Sequence, residues 1–353
     1  MNLRDHIASR IAATGPMRID EYMTTCLLHP TLGYYTTRDP LGAAGDFVTA
    51  PEISQMFGEL VGLALAQHWL DSGCPAPFTL AELGPGRGTL MADALRACRN
   101  VPGFMAAADI TFVEVSPALR KIQADTLNGY DVTWIETVDA LPDQPLYLVA
   151  NEFFDALPIR QFLRDGALWR ERQVGLDGEE LVFGLGPAQP QPALNGRFED
   201  TKDGDLVEIC AAAGPIATAV AARIETYGGC ALIIDYGQWR PLGDTFQAVK
   251  SHQKVDPLTA PGTADLTAHV DFEAIAEAAS PCAHSQLTAQ GVFLERLGIT
   301  QRAQALADKM SGSTLDAHIA AHRRLTHPEE MGNLFKVMAL TRPGSAPPPG
   351  LEP

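Results

Sequence analysis

The stretch Thr79–Arg99, TLAELGPGRGTLMADALRACR, limits what this chain can fold into more than any other. Thr79–Leu83 reads as a buried strand and Gly84-Pro85-Gly86-Arg87-Gly88 as a turn. From Thr89 onward, Leu90, Ala94, Leu95 and Ala97 recur at helical spacing. A strand that enters a helix through glycines brings backbone close to a ligand and aims helix N–H groups at it. Dinucleotide sites use Gly-x-Gly-x-x-Gly, whereas these glycines run Gly-x-Gly-x-Gly, with Thr89 where the last dinucleotide glycine would stand. Glu82, two residues before the first glycine, suits a ligand that carries positive charge and no phosphate. S-adenosylmethionine (SAM), with its sulfonium and α-ammonium, fits that description. Glu114 ends the apolar run Asp109–Val115, the position from which an acid reaches ribose hydroxyls in a βαβ unit. NAD and SAM sites share that device. Glu82 and Glu114 in register favour a ligand over an ordinary tight strand-to-helix turn.

Composition narrows the partners. The 353 residues carry 26 Lys+Arg against 43 Asp+Glu, a formal net charge of −17, which argues against nucleic acid or anionic membrane as the main partner. The balance is compatible with a basic protein substrate. The cysteines, from Cys26 to Cys282, are scattered without a Cys-x-x-Cys pair and read as reduced thiols, with no metal site expected. No run has the length of a membrane span, and the amphipathic start carries Asp5, against a mitochondrial presequence. A cytoplasmic protein is the expectation.

Taken in order, residues 1–78 read as a helical extension with a lid loop, His29–Pro51, rich in glycine, proline and aromatics. Residues 79–158 read as the first half of a nucleotide-binding core, with further strands at Tyr130–Ile135 and Leu146–Asn151. Short apolar runs broken by Asp165-Gly166 and Asp177-Gly178 predict an inserted antiparallel meander over 159–210. The core resumes over 211–342 with the strand Cys230–Tyr236 and a loop at 237–270, and 343–353 reads as a loose tail. Alternating strands and helices around one glycine loop indicate a doubly wound, mainly parallel α/β sheet with insertions.

In such sheets the ligand lies beyond the carboxyl ends of the strands. The polar residues there are Glu82 and Gly84, Glu114, Asn151-Glu152-Asp155, and Asp235-Tyr236. Asn151-Glu152-Phe153-Phe154 resembles the Asn-Pro-Pro-Phe/Tyr turn of amino-group methyltransferases, in which an amide oxygen and a carbonyl accept from the nucleophilic nitrogen. Glu152 replaces the first proline, and Asp155 falls on the same side if the turn continues helically. A carboxylate pair would hold a guanidinium bidentately and leave a nitrogen lone pair aimed at the methyl group. The competing reading is that Asn151, Glu152 and Asp155 cap a helix. Asp46, Thr49 and Glu52 could close a lid over the site, or Thr49-Ala50-Pro51-Glu52 could be a helix start. Asp265, His269 and Asp271 read as a hydrogen-bonded loop or, against that, metal ligands.

Together, GDFVTAPE (45–52), ELGPGRG (82–88), NEFFDALP (151–158), IDYG (234–237), DLTAH (265–269) and QGVFL (290–294) resemble the MidA family. These are SAM-dependent methyltransferases whose mitochondrial members assist assembly of respiratory complex I. The resemblance runs from about residue 5 to 342 and implies a Rossmann-like class I methyltransferase fold. It implies methylation of a protein arginine, in mitochondrial members a symmetric dimethylation on a core complex I subunit. By position, Glu82, Gly84, Gly86, Gly88, Glu114 and Thr49 are expected to hold SAM, and Asn151, Glu152 and Asp155 to act in catalysis. Phe153, Phe154, Asp46, Glu52, Asp235 and His269 are expected to face the substrate. A SAM-binding assembly chaperone, methylation of a small amine, and an NAD-linked oxidoreductase are the alternatives; Glu82 and the glycine spacing disfavour the last.

Overall fold

A computed structural model of the chain describes residues 2–37 and 49–353. The glycine-loop strand sits in the middle of it. Phe78–Leu83 (β1) is buried at every position, as is Leu146–Asn151 (β4); Ala108–Val113 (β2) and Val132–Ile135 (β3) lie between them in sequence. Arg160–Asp165 (β5), Leu168–Asp177 (β6), Glu180–Gln189 (β7) and Leu206–Ile209 (β8) follow, then Gly229–Gln238 (β9) and Phe335–Thr341 (β10). The main sheet runs β10-β9-β4-β1-β2-β3, parallel throughout except for β10. Near-continuous apolar strands such as β9 suit this role, because helices cover both faces of a parallel sheet. The chain leaves β1 toward β2 and β3 and returns on the other side at β4. The order therefore reverses between β1 and β4, which puts a crevice beyond their carboxyl ends.

Gln55–Asp71 (α3) and Thr89–Cys98 (α4) cover one face. They touch through glycines: a Cβ on Gly62 would stand 2.6 Å from the Cβ of Ala94, and one on Gly58 would stand 2.8 Å from the Leu90 carbonyl oxygen. That close approach seats α4, and with it the glycine turn, rigidly on the sheet. Phe57, Trp69, Phe78, Phe104 and Tyr147 fill the core on this side. Ala213–Tyr227 (α6) covers the other face with Ala217, Val220 and Ile224. Between them in sequence, Pro117–Thr126 (α5) follows β2. No described helix is long and apolar enough to cross a membrane.

The divisions read from sequence change in three places. Residues 50–69 pack on the main sheet, while residues 3–34 share one core with 159–210: Met17 and Arg18 pair antiparallel with Val174 and Gln173 of β6. Leu3–Thr14 (α1) and Ile19–Leu28 (α2) bury Ile7, Ile11, Tyr22 and Met23 against Val174 and Leu181. A two-residue strand whose partners lie more than 150 positions away has no periodicity to betray it. Residues 237–270, expected as a loop, contain a three-stranded sheet of Gln247–Lys250, Gln253–Val255 and Asp265–Thr267, each too short for an alternation signal. The tail is not loose. Leu351 is buried, the Gln286 N–H donates to the Glu352 carbonyl (2.8 Å), and Arg296 pairs with the Glu352 carboxylate (2.6 Å).

Candidate active site

A cavity of about 900 Å³ opens beyond the carboxyl ends of β1, β2 and β4. Glu82, Gly84, Gly86, Glu114, Thr49, Glu52, Asn151, Glu152 and Phe153 all line it. Gly88, Phe154, Asp155, Asp235 and His269 stand outside that lining, and Asp46 lies outside the described residues.

The glycine turn is built by backbone conformations that L side chains avoid. Gly84, Gly86 and Gly88 have φ of 57°, 55° and 81°. A Cβ on Gly84 would meet Phe153 Cδ2 at 2.9 Å, and one on Gly88 would meet Leu127 Cδ1 at 2.8 Å. Gly88 thus serves the turn from behind, as the left-handed residue ahead of α4. Glu82 is buried, and its Oε2 has no hydrogen-bond partner among the described residues. Burial pushes its carboxyl well above the usual range, against a hydrogen bond from the Met91 backbone. A buried carboxylate oxygen without a donor is a site for a cationic or N–H-bearing ligand group.

Glu114 is buried one residue beyond β2. Its Oε1 accepts from Ser116 N–H (2.7 Å) and its Oε2 from Gln123 Nε2 (3.1 Å), which leaves lone pairs for a ligand diol. Gln123 is the functional residue that sequence reasoning missed. Fully buried on α5, it also donates to the Gly86 carbonyl (2.8 Å) and accepts from Trp134 Nε1 (2.9 Å). One amide thereby locks the glycine turn, Glu114 and β3 together. The only signal was a polar residue on the apolar face of α5. Gln123→Ala takes a partner from the buried Glu114 carboxylate and from the half-buried Gly86 carbonyl and Trp134 Nε1, and is expected to lower stability by about 1–3 kcal/mol. It should also weaken SAM binding, so thermal melts with and without SAM would show both losses; an unchanged SAM-induced shift would contradict the locking role.

On the opposite side of the cavity, β4 ends in Asn151 and the chain turns sharply at Glu152, whose φ is +51°. Its N–H still pairs with Ile234 of β9 (2.9 Å), so the strand holds it while the side chain turns into the cavity. Glu152 Oε1 accepts from Ala50 N–H (3.1 Å) and Asn151 Nδ2 (3.2 Å), and Asn151 Oδ1 is buried without a partner among the described residues. A non-glycine residue in the left-handed region at such a place is characteristic of functional sites. Glu52, from the short helix Ala50–Ile53, accepts from Thr89 Oγ1 (2.5 Å), so this segment both starts a helix and covers the site.

The expected carboxylate pair does not form. Asp235 Oδ2 accepts the N–H groups of Phe154 (3.1 Å) and Asp155 (3.2 Å) and so fixes the turn from beneath. The left-handed Glu152 breaks helical continuation, and Asp155 lies outside the cavity lining beside the Tyr236 hydroxyl, its Oδ1 unpaired among the described residues. Phe154 packs into the core with Ala150 and Ile233, and only Phe153 reaches the cavity. His269 stacks edge-on against Tyr236 (5.4 Å) and donates its N–H to Thr245 Oγ1. Asp265 accepts from the Tyr35 hydroxyl (2.7 Å) and Asp271 caps the helix Phe272–Ala278, so these three do not converge.

Burial, and then the charge of Asp155, raise the Glu152 carboxyl to about 8; the Ala50 and Asn151 contacts and Arg324 oppose the rise. Burial lifts Asp155 to about 6 despite Tyr236, and Asp235 is pushed well above the carboxylate range. The ionised form of Glu152 is the one that can hold a cation. kcat/KM is therefore expected to rise with pH and level off above about 8. Asp155→Asn removes the like charge, so the midpoint should move to lower pH; an unmoved midpoint would disprove the coupling.

The chain is similar in sequence and fold to known proteins. Residues 60–292 match the family described as "Putative S-adenosyl-L-methionine-dependent methyltransferase". The chain is 39% identical over 363 residues to the mitochondrial protein arginine methyltransferase NDUFAF7 of Danio rerio, covering 95% of this chain and 86% of that protein. It is 36% identical to the Homo sapiens protein of the same name, over 95% and 82% of the two chains. A solved structure from Burkholderia thailandensis, bound to S-adenosyl-homocysteine, superimposes with a TM-score of 0.81 at 28% identity, over 99% of this chain and 93% of that one. The cytoplasmic expectation does not survive: the Danio rerio and Homo sapiens relatives are both mitochondrial by name.

Proposed function

We propose, for a chain that belongs to this family of S-adenosyl-L-methionine-dependent methyltransferases, that Glu152 and Asn151 receive an arginine side chain of a protein. The observation that carries the reading is the Glu152 carboxylate, turned into the cavity by a left-handed backbone and lining it together with the glycine turn. Glu82, with its unpaired oxygen, is the acceptor for the cofactor's ammonium, Glu114 for its ribose hydroxyls, and the left-handed glycines give its backbone room. SAM supplies an electrophilic methyl carbon on a sulfonium.

The remaining work falls to the protein. Glu152 pairs with the guanidinium through charge-assisted hydrogen bonds, and Asn151 Oδ1 accepts another of its N–H groups. Together they fix the plane of the group and present one nitrogen in line. As that nitrogen loses its proton, the carboxylate, raised to about 8, is a base able to hold it inside the cavity. Phe153, whose ring presses on Gly84, walls the transfer path from the side. We further propose a protein of respiratory complex I as the acceptor, on the resemblance to the MidA family. The test is transfer of isotope-labelled methyl from SAM to complex I proteins, with mass spectrometry locating the label. Label on an arginine guanidino nitrogen supports the reading; label on lysine or on a small amine overturns it.

A further inference from the structure

Part of the cavity is explained neither by the cofactor nor by the guanidinium. Leu27 and Leu28 at the end of α2, with Pro30 after it, line it from the accessory lobe. Leu157, Pro158 and Ile216 line it from the β4 turn and from α6. None of these six is charged. The ionisable lining is Glu52, Glu82, Glu114, Glu136, Asp139 and Glu152 with Tyr35 and Arg87, and none of these carboxylates stands on α2 or at Leu157-Pro158. Leu28 is 44% exposed although it lines the cavity, so this apolar wall reaches the surface.

We infer that the acceptor is an extended protein segment in which uncharged, apolar residues flank the target arginine on both sides. The inference rests on the arginine reading and adds the surroundings of that arginine. The lining carboxylates stand on the glycine turn, the strand ends, the covering helix and the segment after β3, so the end of α2 and Leu157-Pro158 bring no counter-charge of their own to a second cation held against Leu27, Leu28 and Pro158. A lysine or glutamate beside the arginine would be desolvated against these side chains without a partner. An apolar neighbour removes its own surface and theirs from water. Net charge of −17 by itself would favour basic segments at a distance, so the prediction is specific to the wall and opposes the global field. Free arginine, which has no flanks, leaves the wall uncovered and should be a poor acceptor.

The test uses the full chain, SAM and four acceptors: one arginine peptide with Leu and Val flanks, one with Lys flanks, one with Glu flanks, and free arginine. The apolar peptide is expected to exceed the others in kcat/KM by roughly tenfold or more. Leu28→Glu, at an exposed position, should remove that advantage over the Lys-flanked peptide while SAM affinity stays unchanged. Equal kcat/KM across the peptides, or a Lys-flanked or free arginine that reacts as fast, overturns the inference and leaves arginine methylation standing. Failure of every peptide to take label on arginine while SAM still binds overturns the arginine reading, and this inference with it.

Discussion

Replacing Glu152 with glutamine is expected to slow methyl transfer by roughly 10²- to 10⁴-fold, the range for loss of a positioned acid or base, and to leave SAM affinity close to its original value. Glutamine has the same shape and its carbonyl can still accept from Ala50 N–H, so the turn and the covering helix keep their contact. What disappears is charge. An amide can neither pair ionically with a guanidinium nor take its proton. SAM affinity, read by titration calorimetry, should hold because Glu82, Glu114 and the glycine turn are untouched. Equal loss of binding and turnover would mean that Glu152 serves the cofactor. Full activity in the variant would remove Glu152 from the chemistry and favour a SAM-binding assembly role.

Gly84→Val should have the opposite profile, with SAM binding itself lost by roughly a hundredfold or more. Gly84 has φ of 57°, which costs an L-residue about 1–2 kcal/mol and a β-branched one more. The new Cβ would stand 2.9 Å from Phe153 Cδ2, so the ring must leave the wall it forms. Gly166→Val provides the control: its φ is 62°, yet no atom lies within 4 Å of a Cβ there. The control carries a similar backbone cost in a hairpin remote from the site. If both variants lose SAM binding alike, general destabilisation is responsible and the contact between Gly84 and Phe153 is unimportant.

The parts of this protein that were legible in its sequence are those fixed by local pattern. β1, the glycine turn and α4 announce themselves through a continuous apolar run, three clustered glycines and helical spacing. Glu82 and Glu114 followed from position at strand ends, and both line the cavity. Asp155 went astray because its direction depends on a single backbone conformation, the left-handed Glu152, and on Asp235 some 80 residues later. Gln123 was invisible for a related reason: its partners Gly86, Glu114 and Trp134 lie on three other elements. The short strands Met17–Arg18 and Asp265–Thr267 exist only through distant partners, and residues that short carry no period. Sequence spoke for what neighbours in the chain decide, and the accessory lobe is decided elsewhere.

That lobe has a consequence for biosynthesis. Residues 3–28 leave the ribosome well before residues 174–266, yet Ile7, Ile11, Met17 and Tyr22 find apolar partners in Val174, Leu181 and Leu266. Until those residues are made, the newborn chain carries an uncovered greasy helix pair and an unpaired strand. Slow, non-local pairing of this kind is where nascent proteins recruit chaperones or aggregate. The apolar wall of the cavity is therefore begun at Leu27 and Leu28 and completed only when Leu157, Pro158 and Ile216 have been made.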